Sequence, residues 1–148
     1  MEPPDLSKYN YLEVPEQDTW GILMRKDCPL AEKSQIEIDD ILPYPVFCSE
    51  QAAKVDLSRW CGENIDQLNV MATFNLTGNA AIFAREGLGI TLTFDKLIEI
   101  DKEGDLCFRP ITPVLQTKMY VIWKKYQVFT PVAQLLLEKL KRILSLEN

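Results

Sequence analysis

The sequence contains no histidine in its 148 residues. Ser-His-Asp triads, Cys-His nucleophile pairs and histidine-ligated metal sites all need an imidazole, so this absence excludes them. Cysteine occurs four times, at Cys28, Cys48, Cys61 and Cys107, and never as Cys-x-x-Cys, which excludes the thioredoxin and zinc-ribbon patterns. We therefore expect no metal and no other cofactor, and we expect these thiols to be reduced and mostly buried.

Segments that direct a chain to a membrane are also missing. The first residues, Met1 to Asp5, have no basic region before an apolar one, and no apolar run reaches about 18 residues. Sixteen Lys and Arg against 22 Asp and Glu give a net charge of −6. A chain with this balance is not expected to hold DNA or RNA by itself. We expect a cytoplasmic protein with no membrane partner.

The remaining composition, 47% hydrophobic and 26% charged, is typical of a globular domain or of two small lobes. Short apolar runs predict strands at residues 9–14, 19–25, 45–48, 68–74, 89–94, 106–111 and 119–126. Helical spacing or helix-start signals predict helical segments at residues 36–42, 50–61, 77–86 and 132–146. The order β-α-β-α-β between residues 45 and 94 implies parallel strands with right-handed crossovers.

Capping residues mark the ends of the predicted helices. Ser49 and Thr130 are suitable N-caps, and either Asn75 or Thr77 can begin the helix between them. Gly87 follows a predicted helix and precedes a strand, so we interpret it as a helix C-terminus rather than part of a phosphate loop.

Polar side chains follow the ends of the three central predicted strands. The candidate ligand-binding residues are Ser49, Glu50, Gln51, Phe74, Asn75, Thr77 and Thr93. In open α/β sheets ligands bind outside the carboxyl ends of the strands, and helix N-termini there favour anions. The same residue types also cap helices, so binding and capping remain alternative interpretations of this pattern.

Three passages together resemble the effector-binding domain of LysR-type transcriptional regulators. The first is Trp20 to Ala31, which contains the strand followed by Asp-x-Pro-Leu-Ala. The second extends from Phe74 to Ile90, and the third combines Leu106 to Ile111 with Val121 to Tyr126. The passages occur in the order that the family has, over nearly the whole chain.

The resemblance implies an α/β, periplasmic-binding-protein-like (type 2) domain, with one complete α/β subdomain and part of a second. Residues 1–20 would end the first pass through subdomain I, residues 21–117 would form subdomain II, and residues 118–148 would return to subdomain I. A small polar or anionic effector would bind between the subdomains. The family's helix-turn-helix and the first part of subdomain I have no counterpart here, so we expect a truncated fragment. DNA contact would belong to the absent helix-turn-helix.

Other interpretations of the function remain. The chain could be an interaction module without an effector, or a solute-binding protein of the same fold. An enzyme is disfavoured because the candidate carboxylates, Asp39, Asp40 and Glu50, show no convergent pattern. The strand from Met119 and the helix from Val132 would lack their usual cover, which predicts a homodimer or larger assembly.

Overall fold

The chain divides into two compact units in a computed structural model that describes residues 7–146. Unit 2 is the continuous segment Thr19–Leu115, and unit 1 combines residues 7–18 with residues 116–146. The boundaries expected from the sequence lie two residues later at each crossing. Residues 1–6 and 147–148, which belong to the predicted terminal segments, lie outside the described residues. Assigning the units to the two subdomains remains a prediction.

The predicted strands and helices are present, with small shifts in their ends. The strands are β1 (Tyr9–Arg25), β2 (Val46–Ser49), β3 (Val70–Phe74), β4 (Ile90–Phe94), β5 (Leu106–Pro110) and β6 (Gln116–Lys124). The α-helices are α1 (Ile38–Ile41), α2 (Leu57–Cys61), α3 (Thr77–Arg85) and α4 (Pro131–Leu146). Shorter 3₁₀ helices cover Pro29–Glu32 and Gly62–Gln67, and a π-helix covers Ala52–Asp56.

Strand β1 differs from the prediction because it joins the two strands expected at residues 9–14 and 19–25. It pairs with β6 in unit 1 and with β4 and β5 in unit 2. The partner of β1 changes along its length, from β6 in unit 1 to β4 and β5 in unit 2, so the backbone stays extended through Pro15. Sequence patterns that treat each apolar run separately do not contain this information.

The strands of unit 2 follow the order β3-β2-β4-β1-β5. Strand β2 pairs in parallel with both β3 and β4, as the β-α-β-α-β prediction required. Strand β1 is antiparallel to β4 and β5, which leaves β5 at the end of this order. The carboxyl ends of β2, β3 and β4 therefore lie at the same edge of the sheet.

Apolar side chains cover both faces of this sheet. One face belongs to a cluster with the helical segments around α1 and α2, and its fully buried members include Ile22, Met24, Ile41, Val46, Cys48 and Ala52. On the other face, Leu23 packs with Ala81 and Ala84 of α3. Phe47 also lies on this face, stacked 4.7 Å from the Phe83 ring. Unit 2 is thus a sheet between two helical layers.

The helix predicted over residues 50–61 contains a π-helical turn that the sequence did not indicate. The Leu57 N–H donates to the Ala52 carbonyl oxygen, five residues earlier. This spacing turns both Ala52 and Leu57 toward the same core, where they are 0% and 1% exposed. Gly62 ends the helix with a φ of 55°, a conformation that glycine adopts without strain.

Unit 1 consists of the β1–β6 pair and α4. Thr130 caps α4 as predicted, because its Oγ1 accepts a hydrogen bond from the Ala133 N–H at 3.3 Å. Among residues 131–144 of α4, Leu137 is the buried one, whereas Val132, Leu136 and Ile143 of the predicted apolar face are 54–78% exposed. The described residues therefore cover only part of the apolar face of α4 and leave the rest exposed. No described helix has the length and hydropathy needed to cross a membrane.

Substitution of Gly21 tests how closely β1 packs against β5. A Cβ on Gly21 would lie 2.5 Å from the Arg109 carbonyl oxygen and closer still to the Phe108 ring. We expect Gly21→Ala to lower the free energy of unfolding by about 1–3 kcal/mol, as overpacked sites do. Gly78→Ala is the control, since a Cβ there meets nothing within 4 Å, and we expect it to be neutral or stabilising by about 0.5 kcal/mol. Urea denaturation measures both, and equal effects would contradict the packing.

Candidate functional site

The carboxyl edge of β2, β3 and β4 brings several predicted site residues into one row. Ser49 at the end of β2 is paired with Phe74 at the end of β3. On the other side, Val46 and Phe47 pair with Ile90 and Thr91, and the same register continued by two residues places Thr93 level with Ser49. Paired residues on neighbouring strands have side chains on the same face of a sheet. The row therefore joins positions that are far apart in sequence.

Ser49 is half-buried and its hydroxyl already has a structural role. Its Oγ accepts a hydrogen bond from the Ala52 N–H at 3.1 Å, so the capping prediction for Ser49 is confirmed. The hydroxyl proton is still able to donate to another group. Gln51, in the first turn of this helix, is exposed.

Glu50 is exposed beside Ser49 and is paired with a lysine one helical turn later. Its Oε1 lies 2.6 Å from Nζ of Lys54. The hydrogen bond and the charge of Lys54 lower the pKa of Glu50. A carboxylate and an ammonium group are therefore both available at this corner of the edge.

The capping prediction for Asn75 and Thr77 is wrong. Leu76 is the N-cap of α3, and no side chain forms a cap hydrogen bond there. Thr77 is the first helical residue and is half-buried, while Asn75 is exposed. Leu76 occupies the N-cap because its extended backbone, with φ −119° and ψ 118°, precedes the first helical residue. The side chains of Asn75 and Thr77 are thus not used as caps.

Thr93 is 5% exposed and lies on the face of the sheet that α3 covers. Its neighbour on that face, Thr91, donates from Oγ1 to the Ala80 carbonyl oxygen at 3.2 Å. Helix α3 begins at the carboxyl edge, after β3, and ends near the amino edge, before β4. Thr93 therefore lies nearer than Thr91 to the start of α3, where Thr77 is located.

Two contacts at the end of β4 were not predicted from the sequence. The rings of Trp20 and Phe94 pack with their centroids 4.0 Å apart. Asp95 accepts a hydrogen bond at Oδ1 from the Thr19 N–H at 2.9 Å. In sequence Asp95 is an ordinary turn residue after a strand, and its partner is 76 positions away. No local pattern could have identified this pair.

The described residues offer no metal site, and three of the four thiols are buried. No group of three or more Cys, Asp or Glu side chains in this part of the chain is placed to hold a metal ion. The four cysteines are unpaired, and only Cys28 is half-buried while the others are buried. Burial raises the pKa of both Cys48 and Cys61 to about 11. These two thiols are therefore poor nucleophiles at neutral pH.

A family model described as the LysR substrate binding domain matches residues 1–145. Among solved structures, the chain is similar to the Synechocystis PCC6803 CcmR regulatory domain in complex with 2-PG, with a TM-score of 0.78 and 18% identity. That alignment covers 97% of this chain and 70% of the other. No match to a curated protein sequence was found.

Two further structures have the same fold. HinK of Pseudomonas aeruginosa, a LysR family transcriptional regulator, aligns over 93% of this chain and 50% of its own length, with 16% identity and a TM-score of 0.71. The effector binding domain of QuiR in complex with shikimate aligns over 89% of this chain and 63% of its own length, with 15% identity and a TM-score of 0.70. The chain therefore spans about half of one relative and nearly two thirds of the other.

Thiol reactivity tests the burial of the cysteines. We expect native Cys28 to react with iodoacetamide at pH 8 well before Cys48 and Cys61, whose raised pKa leaves only about one thiol in a thousand ionised. Labelling of the two buried thiols should rise with pH up to their pKa, or on unfolding, when all four cysteines should react. Mass spectrometry of labelled peptides measures this. Equal native rates for Cys28 and Cys48 would contradict the described burial.

Proposed function

The chain belongs to the LysR substrate-binding domain family, and from that membership we propose that it is the effector-sensing part of a transcriptional regulator. The fold is the periplasmic-binding-protein-like type 2 fold of that family. The proposed effector is a small polar or anionic metabolite. Its proposed contacts are Ser49, Glu50, Gln51, Phe74, Asn75, Thr77 and Thr93.

The observation that carries the proposal is the start of α3. This nine-residue helix begins at the carboxyl edge without a side-chain cap, so its first N–H groups are not satisfied by a capping side chain and carry the positive end of the helix dipole. The side chains of Asn75 and Thr77 flank this position and Thr93 lies near it. Together they supply amide and hydroxyl groups around a point that favours negative charge.

Glu50 and Lys54 refine the chemistry of the proposed ligand. Glu50 would repel a second carboxylate placed beside it, whereas a hydroxyl or ammonium group can donate to it. Lys54 limits this repulsion through its ion pair with Glu50. We therefore propose a ligand with an acidic group toward α3 and a hydroxyl or amino group toward Glu50. The ligands named for CcmR and QuiR, 2-PG and shikimate, are suitable first probes.

The proposed mechanism is a population shift rather than catalysis. A ligand that binds one arrangement of the regulator better than another changes its oligomer and hence its contact with DNA. In this proposal a helix-turn-helix of the regulator makes the DNA contact, the protein acts in the cytoplasm, and no reaction is catalysed. Membership of a family of regulatory domains favours sensing over catalysis.

A second candidate function, an interaction module, is favoured by unit 1. Several large apolar side chains there are exposed by more than half: Ile122, Tyr126, Val128, Val132, Leu135, Leu136 and Ile143. An apolar helix face of this kind is usually covered by another chain. We propose that a second copy covers α4, in agreement with the homodimer expected from the sequence. This assembly is compatible with effector binding in unit 2.

Ligand binding tests the proposed site. We expect a panel of small hydroxy acids and amino acids, with 2-PG and shikimate included, to contain at least one compound that raises the melting temperature of the chain. Asn75→Ala should weaken its binding by about tenfold, the value of one lost hydrogen bond to a charged group. Asn69→Ala is the matched control, because Asn69 is an exposed asparagine at the opposite end of β3. Isothermal titration calorimetry gives the affinities.

Two results would contradict the site. One is a compound that binds Asn75→Ala and the original chain equally well. The other is the failure of every compound in the panel, which would favour the interaction module.

The oligomeric state tests the covering of α4. We expect sedimentation at micromolar concentration to give a species heavier than the 17.0 kDa chain. Leu136→Glu should shift it to the monomer, because a carboxylate would be buried in the interface. Lys139→Glu introduces the same group at an exposed polar position of α4 and should leave the assembly unchanged. A monomeric original chain would disprove the homodimer.

A further inference from the structure

Thr19 and Asp95 are joined by hydrogen bonds in both directions. The Thr19 N–H donates to Oδ1 of Asp95 at 2.9 Å, and the Asp95 N–H donates to the Thr19 carbonyl oxygen at 2.9 Å. Thr19 is the first residue of unit 2. The pair therefore holds β1 at the position where the chain enters that unit.

The carboxylate of Asp95 replaces a backbone acceptor. Pairing of β1 with β4 ends at Trp20 and Phe94, so Thr19 and Asp95 are the next pair in the ladder. In a regular antiparallel pair the Thr19 N–H would donate to the backbone carbonyl of residue 95. The chain instead turns away at Lys96, which has a φ of 61°, and the side chain of Asp95 accepts this N–H. A carboxylate is a stronger acceptor than a neutral carbonyl.

The chain leaves unit 2 after Leu115, and this second connection between the units is also bonded to the start of β1 in unit 2. The Trp20 N–H donates to the carbonyl oxygen of Leu115 at 3.0 Å, and Leu115 is the last residue of unit 2. The Trp20 ring packs on Phe94, the residue before Asp95. The last residue of unit 2 is thus bonded to Trp20, the residue of β1 whose ring packs on the end of β4.

Thr93, a proposed ligand contact at the carboxyl edge, lies just before Phe94 and Asp95 in the chain. Thr93 is paired with Gly21 of β1, and it is followed by Phe94 and Asp95. Thr93 is only two residues before Asp95 in the chain. If β4 moves at Thr93, the carboxylate that accepts the Thr19 N–H can therefore move with it. Because the side chain of Asp95 replaces a backbone group in the ladder, a substitution at Asp95 removes this hydrogen bond and leaves the backbone pairing of β1 and β4 in place.

We propose that Asp95 is a positioning residue that transmits changes at Thr93 to the segment of β1 at Thr19. In this way a ligand at the carboxyl edge alters how firmly β1 is held where it leaves unit 2. The regulatory meaning of this coupling rests on the proposed function. The coupling itself is a property of the chain without a ligand.

Amide hydrogen exchange, followed by nuclear magnetic resonance, tests the attachment. We expect Asp95→Ala to speed exchange of the Thr19 amide by about tenfold or more, since a hydrogen bond to a charged group is lost. Asp95→Asn retains an oxygen acceptor and should restore most of the protection. The reporter for general loosening is the Met24 amide, in the part of β1 paired with β5. It should exchange at the original rate in both variants.

Asp101→Ala is the matched control for removing a carboxylate. Asp101 also accepts a backbone N–H, from Glu103 at 3.0 Å, but within a local turn. It should leave exchange at Thr19 unchanged. Unchanged Thr19 exchange in Asp95→Ala would overturn the proposal, and so would an equal acceleration at Met24, which would mean general loosening of the sheet.

A double-mutant cycle tests the transmission. We expect Thr93→Ala to change exchange of the Trp20 amide by at least about threefold when Asp95 is present, and not in the Asp95→Ala background. The same change in both backgrounds, or no change in either, would overturn the proposed role. No ligand is needed, so a failure here is distinct from a failure of the binding panel: the first disproves the role of Asp95, and the second disproves the ligand site.

Discussion

The pairing of β4 on both sides holds unit 2 together. This strand is parallel to β2 and antiparallel to β1, so it joins the predicted β-α-β-α-β block to the strand that continues into unit 1. Leu92 and Thr91 are 2% and 0% exposed on its two faces. Since a shift by one residue would exchange these faces, the register is strongly specified. Continued by two residues beyond Phe47 and Thr91, the same register would put Thr93 level with Ser49, which is itself paired with Phe74.

The proposed site follows from this arrangement and from an exception to a local rule. Helix starts are usually satisfied by a Ser, Thr, Asp or Asn side chain at the N-cap, and the chain provides Asn75 and Thr77 close to that position. Neither is the N-cap, because Leu76 has the extended backbone that precedes the first turn. Departures from local consistency are expected at functional sites. The start of α3 is such a departure, and it lies where ligands bind in open α/β sheets.

Sequence patterns predicted most elements of the fold, because strands, helices and glycine ends depend on local spacing. The cap at Ser49 was also predictable, since its partner is three residues away. The continuity of β1, the buried role of Leu137 and the contact of Asp95 with Thr19 were not predictable. Each of these three features depends on which distant segment of the chain packs against the residue. The type of an apolar or acidic residue does not indicate which segment that is. For the same reason the candidate residues could be named from the sequence, but their common row could not be established.

A map of backbone amide shifts tests the central claim, that ligands bind at the carboxyl edge of β2, β3 and β4. The measurement is a titration of the isotope-labelled chain with small carboxylic acids, followed by nuclear magnetic resonance. We expect saturable shifts concentrated at residues 49–51, 74–77 and 93–95. Shifts concentrated at the amino edge, around Arg25 and Gly89, or confined to unit 1 would contradict it.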